Sequence, residues 1–180
     1  MRPAALSSRQ PADRLLVRCI RGSLAWCAIL SASVLPARAA AEVTYQSSCE
    51  VVDTARLESF GRDGQPAQVS HFSCRITGGP LDGAIVAGTN IWDMADKAGG
   101  TLLGSIAVAQ RAGASVMYEL RDVTRTLKTH NGHVVGWEAK SRGVYKAASG
   151  SAAALEGKTF NSIARFTGPR TYTISSTIND

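Results

Sequence analysis

His133-Val-Val135-Gly-Trp137-Glu-Ala139-Lys-Ser141-Arg-Gly143-Val-Tyr145-Lys-Ala147 is the stretch that decides the fold. Its odd positions are Val135, Trp137, Ala139, Ser141, Gly143, Tyr145 and Ala147; its even positions include Glu138, Lys140, Arg142 and Lys146. One set is apolar or small and the other is charged. A helix would mix the two sets around its circumference, whereas an extended chain sends alternate side chains to opposite faces. The run therefore predicts one long strand. Alternation over that length requires a bend, which is expected at Gly143.

The same pattern spreads outward from this strand. Asn131-Gly132 just before it is a hairpin signal, because both central residues of a type I′ turn need positive φ. Segments 115–122 and 123–129 alternate ahead of that turn, the first with Val116, Tyr118 and Leu120 inward. Segment 43–54 places Tyr45, Cys49 and Val51 on one face, and segment 67–77 does the same with Phe72, Cys74 and Ile76. Segments 84–93, 102–111, 160–167 and 171–178 complete the set. Turn signals separate them at Gly61–Pro66, Gly78–Gly83, Ala112–Ala114 and Gly168-Pro169, and Asp96–Gly100 reads as a polar loop. Only 149–157 departs from strand, as a helical turn. Seven to nine strands with short connections and little helix make the chain all-β. The long bent strand with a small-residue face favours a single antiparallel closed barrel over a flat sandwich. Its charged faces point to water, which argues against an outer-membrane barrel.

Residues 1–39 read differently. Arg2, Arg9, Arg14, Arg18 and Arg21 precede the apolar stretch 22–35, and Ala37-Arg38-Ala39-Ala40-Ala41 follows Pro36. A basic region, a short apolar core and small residues at an A-x-A site are the parts of a secretory signal. Cleavage is expected after Ala39 or Ala41, leaving 40–180 as one barrel domain, exported to a periplasm or the extracellular space. The apolar run is too short for a membrane span. The whole chain has 20 basic and 14 acidic residues, a net charge of +6. Removing the six Arg and one Asp of 1–39 leaves 14 and 13, a net charge of +1. Arg121, Arg125 and Lys128 lie scattered among threonines and read as a solvated strand face, so nucleic acid is not an expected partner.

Cys19 and Cys27 belong to the leader, and Cys49 and Cys74 remain. An even pair in an oxidising compartment predicts a disulfide. Such a bridge would close a loop of about 26 residues and stabilise by roughly 3–4 kcal/mol in the chain-entropy model.

The search for chemistry gives little. His130 and His133 flank a hairpin tip and supply two ligands at most, so no metal site is expected. His71 shares a face with Ser73 and Arg75 and reads as solvated. Asp93, Asp96, Glu119 and Asp122 are the carboxylates nearest strand ends, without diagnostic pairing. Nucleophile-elbow, phosphate-loop and dinucleotide motifs are absent, and no cofactor is implied. The aromatic set is more informative: Tyr118, Trp137 and Tyr145 fall on inward faces. Ala139, Ser141 and Gly143 leave room beside Trp137, so these three aromatics are the candidate ligand-binding residues, in an interior that is either filled or hollow.

Gly143-Val-Tyr145-Lys-Ala-Ala148-Ser-Gly150 has the spacing G-x-[FY]-x-x-A-x-G. It resembles the motif that ends a barrel strand in the allene oxide cyclase and dirigent barrels, with Tyr145 in place of the usual Phe. The resemblance implies an eight-stranded antiparallel barrel with an internal cavity. It carries no catalytic residue onto this chain, and a lipocalin-like or avidin-like barrel is the alternative.

The leading expectation is an exported, disulfide-stabilised binding or structural module holding a small apolar ligand, with room for oligomer formation. The alternatives are a cyclase- or isomerase-type enzyme using the same cavity, and a module that binds protein through its loops. A buried charged or His side chain facing the cavity favours catalysis, an apolar cavity favours binding, and a filled interior favours the loops.

Overall fold

The computed structural model describes residues 42–94 and 100–179. The expected leader with its cleavage sites, and most of the 96–100 loop, lie outside the described residues.

Eight strands form one closed antiparallel barrel: β1 (Val43–Leu57), β2 (Ala67–Thr77), β3 (Ile85–Asp93), β4 (Thr101–Arg111), β5 (Ala114–His130), β6 (His133–Gly150), β7 (Thr159–Gly168) and β8 (Thr171–Asn179). Each strand pairs with the next, and β8 returns to β1 from Val43↔Ile178 to Glu50↔Thr171. The described helical residues are three short 3-10 turns at Arg62–Gly64, Gly79–Leu81 and Ala153–Leu155, the last within the segment expected to be a helical turn.

The alternation places the core where the inward sets require it. Tyr45, Cys49, Phe72, Cys74, Ile76, Val86, Val116, Tyr145 and Phe160 are all buried. The two ends of the barrel differ. At the end holding the β2–β3 and β6–β7 connections, the 3-10 turns fold Leu81 and Leu155 into the core, 1% and 6% exposed, beside Ile178. This end is a closed base. The opposite end, where β5–β6 and β7–β8 turn, is the mouth.

Two local expectations are corrected. Segments 115–122 and 123–129 are one strand, β5, because a bulge joins them. Arg121 pairs with Arg142 and Thr124 with Lys140, leaving one surplus residue on β5, and Asp122 takes φ 48°. The inward set shifts there from even positions to odd. Gly143 is not the bend: it pairs regularly with Leu120, while the surplus residues of β6 fall between Gly136 and Val134 and between Ala147 and Tyr145. Those bulges turn Val135 and Ala147 outward, against their expected inward placement, and Val135 is 54% exposed. Gly143 answers to packing instead. A Cβ there would lie 2.1 Å from Cζ of Phe160, whose ring lies flush on the glycine backbone.

The predicted disulfide is present. Cys49 and Cys74 are direct cross-strand partners in β1 and β2, with Cα atoms 4.0 Å apart. Antiparallel partners at such close spacing have facing side chains, which brings the two sulfurs together across the strand pair. It fits an oxidising environment. Among the described residues, no helix is long and apolar enough to cross a membrane.

Candidate functional site: the barrel cavity

The interior is hollow. A cavity of about 470 Å³ runs from the mouth toward the base. Its deep end is aromatic: Tyr118 packs edge-on against Phe160 with ring centroids 5.5 Å apart, and Phe72 and Tyr45 also line it. Edge-to-face contacts of this kind place the positive rim of one ring against the negative face of another. The walls combine Leu120, Ile174 and Ala164 with hydroxyls of Ser47, Ser70, Ser162 and Ser176. The Ser141 and Ser162 hydroxyls are 2.6 Å apart and share one hydrogen bond.

The three aromatic residues expected at the site separate into two roles. Tyr118 and Trp137 line the cavity, and both are half-buried because the void exposes part of each. Tyr145 lies beneath the lining with no exposed surface. Its ring packs 4.9 Å from Phe160, and its hydroxyl is 2.9 Å from that of Tyr45. Tyr145 thus supports the floor and orients Tyr45.

Burial pushes all four tyrosine phenols above their ordinary value. Around Tyr45, hydrogen bonds with Tyr145 and Ser176 offset part of this effect. Tyr118 is raised further by its phenolic neighbours, Tyr45 and Tyr172. Tyr145 and Tyr172 are likewise raised, burial being the largest cause. These hydroxyls are neutral donors and acceptors, unsuited to act as bases near neutral pH.

Arg125 is the residue that pattern reading misplaced. It was expected on a solvated face with Arg121 and Lys128, which are indeed exposed. Arg125 instead lines the upper cavity, half-buried, with its guanidinium carbon 4.9 Å from the ring centroid of Trp137 and 5.4 Å from that of Trp92. The bulge at Asp122 causes this, because past it Val123 and Arg125 point inward. Burial lowers the pKa of Arg125, opposing the charged form. Quadrupole attraction by the two indole faces offsets part of that cost. Trp92, read only as a strand end, is the other partner missed. A signal was available: the apolar phase passes from Val116, Tyr118 and Leu120 to Val123 and Leu127, and Arg125 shares the second phase.

The other candidates stay outside the cavity. His71 lies on the outer surface with Nδ1 2.9 Å from the hydroxyl of Thr89. His130 and His133 pair across the exposed hairpin tip. No group of three metal-ligating side chains occurs among the described residues. Asp93 is buried at the end of β3 beside Gly61. Glu119 is held low on the outer surface by its hydrogen bond from Arg121, and Asp122 occupies the bulge. Asp96 lies outside the described residues.

Fold and site together define a disulfide-bearing closed β-barrel with a lined internal cavity. Comparison with family models, with curated proteins and with solved structures gives no match to this chain.

Proposed function

We propose that the protein is an exported binding barrel that holds a small, largely apolar ligand in its cavity, with residues 1–39 serving as the export signal. The observation that carries this reading is the void itself. A volume of about 470 Å³ falls within the roughly 300–1,000 Å³ of small-molecule sites. Aromatic and aliphatic side chains supply most of the large groups around it, and Tyr118 and Trp137 are the binding residues expected from the sequence. A protein stabilised by packing alone would be expected to fill such a space, since voids forfeit contact energy. The G-x-[FY]-x-x-A-x-G resemblance supports the same proposal: its residues close β6, and an allene oxide cyclase- or dirigent-like barrel would carry a cavity there.

Native mass spectrometry of protein from its own exported fraction tests this reading. The expected species begins at Ala40 or Glu42, lacks the two thiol protons of Cys49 and Cys74, and carries a bound small molecule. Ala164→Phe, which fills the wall, should retain the fold and lose that molecule. A ligand-free wild type that also takes up no apolar probe would remove the proposal.

Arg125 favours one second reading, a cyclase or isomerase acting in the same cavity, because a half-buried cation stabilises negative charge developing on a substrate. Binding is preferred because neither His nor a buried carboxylate faces the cavity among its described lining residues. Recovery of a supplied ligand chemically unchanged after prolonged incubation supports binding; conversion to an isomer supports the enzyme. The loop-directed alternative is tied to a filled interior, and no specific observation favours it.

A further inference from the structure

We infer that the cavity selects a neutral apolar compound bearing a hydroxyl, with the hydroxyl seated on Asn90 and Ser105 in the β3–β4 wall and the body lying among the aromatic side chains. This inference rests on the cavity reading above and sharpens its ligand class.

Three observations carry it. First, Asn90 Oδ1 and the Ser105 hydroxyl are buried polar atoms without a hydrogen-bond partner. Leaving such atoms unpaired costs free energy, so each calls for a group from outside the fold. Second, the two residues are direct cross-strand partners and belong to one inward polar row, Thr54↔Ser70↔Asn90↔Ser105, of which Thr54, Ser70 and Asn90 line the cavity. The row ends at Ser105 because the β4–β5 ladder stops at Ala107↔Tyr118, so β5 places no residue in register beside it. On the opposite wall the hydroxyls have protein partners: Ser141 bonds Ser162, and Ser176 bonds Tyr45. Third, the row is uncharged and sits between apolar surfaces. The Phe72 ring covers Gly88 on the base side, where a Cβ would lie 2.3 Å from its Cζ, and Trp92 follows on the mouth side. The pair demands one donor for the amide oxygen and one acceptor for the serine O–H, and a hydroxyl supplies both. An ether oxygen or a carboxylate only accepts, and an ammonium only donates; the two ions would also be desolvated against an uncharged wall. Asn90 is half-buried as a residue, and the broad χ2 torsion of its amide lets it turn the oxygen into the void.

Trp92 and Trp137, the only tryptophans after residue 39, both line the cavity and report on its occupancy. Binding of 4-phenylbutanol, its methyl ether and 4-phenylbutyrate, which share one body, is measured on the exported protein by calorimetry and by tryptophan emission. The wild type is expected to bind the alcohol tighter than the acid. Asn90→Leu keeps a side chain of similar shape without the amide, and the ratio of alcohol to ether affinity should fall in it by about fivefold, the worth of one net hydrogen bond. Ser105→Ala should lower the same ratio by a smaller factor, and neither variant should change ether binding by more than about twofold. Thermal melts identify any variant that fails to fold; if Asn90→Leu does, the ratio in Ser105→Ala decides the comparison. A ratio left unchanged, as it would be if water alone occupied the two atoms, overturns the inference and leaves the cavity reading intact. So does a wild type that binds the acid tighter than the alcohol. Failure of all three compounds to bind overturns both.

Discussion

Individual residues here are chosen by what lies directly over them. Gly143 carries the Phe160 ring, so Gly143→Ala must displace an aromatic at the cavity floor. Overpacking of this kind costs about 1–3 kcal/mol, and denaturant titration should register that loss. At Gly150 the demand is twofold: φ is +63° and a Cβ would lie 2.0 Å from the Gly113 carbonyl oxygen. Tyr145→Phe removes one hydroxyl from the buried pair with Tyr45. The expected cost is about 1 kcal/mol, because Tyr45 also hydrogen-bonds Ser176. Ligand affinity should change little, since Tyr145 lies under the lining; a large loss of affinity in a folded variant would contradict that placement. Sequence alone placed Tyr145 inward but did not separate floor from lining, because depth within a barrel depends on shear and tilt rather than on alternation.

At the level of strands, the bulges govern which residues reach the cavity. Alternation was legible in every strand, but a bulge inverts it and leaves only a change of apolar phase as its trace. Along β5 that change is visible at Val123, yet the charge of Arg125 masks its new orientation. Along β6 the bulges send Val135 and Ala147 outward even though their residue types fit the core. Asp122 holds the β5 bulge at φ 48°, a conformation that Asp tolerates and a β-branched residue does not. Asp122→Val should therefore destabilise by about 1–2 kcal/mol, whereas Asp122→Gly should not, and only the former should weaken stacking of Arg125 as read by tryptophan emission. The β1–β2 pair carries the disulfide. Replacing both Cys49 and Cys74 by Ser should lower stability by about 2–5 kcal/mol, and a reductant should lower the melting temperature of the wild type but not of the double variant.

The whole barrel concentrates its tyrosines inside: all four in the chain, Tyr45, Tyr118, Tyr145 and Tyr172, have phenols raised by burial. The folded state thus keeps protons that the unfolded chain releases above about pH 10. Stability is complete below that pH and falls as pH rises beyond it, by up to about 1.4 kcal/mol per pH unit for each tyrosine. Tyrosinate absorbance should appear together with the loss of near-ultraviolet circular dichroism; gradual ionisation of an intact barrel would contradict the burial. The closed, all-β architecture was legible because period-two patterning, turn residues and the near absence of helical segments agree. The hollow interior was not, since small inward residues suit either a cavity or large partners opposite. Closure by β1 and β8 also decides how the molecule can be handled. Val43 and Ile178 are neighbours at the base, so the outer ends of β1 and β8 both face away from the mouth. A short linker joining those ends, with new termini opened at Asn131–Gly132, should give a circular permutant with the same barrel.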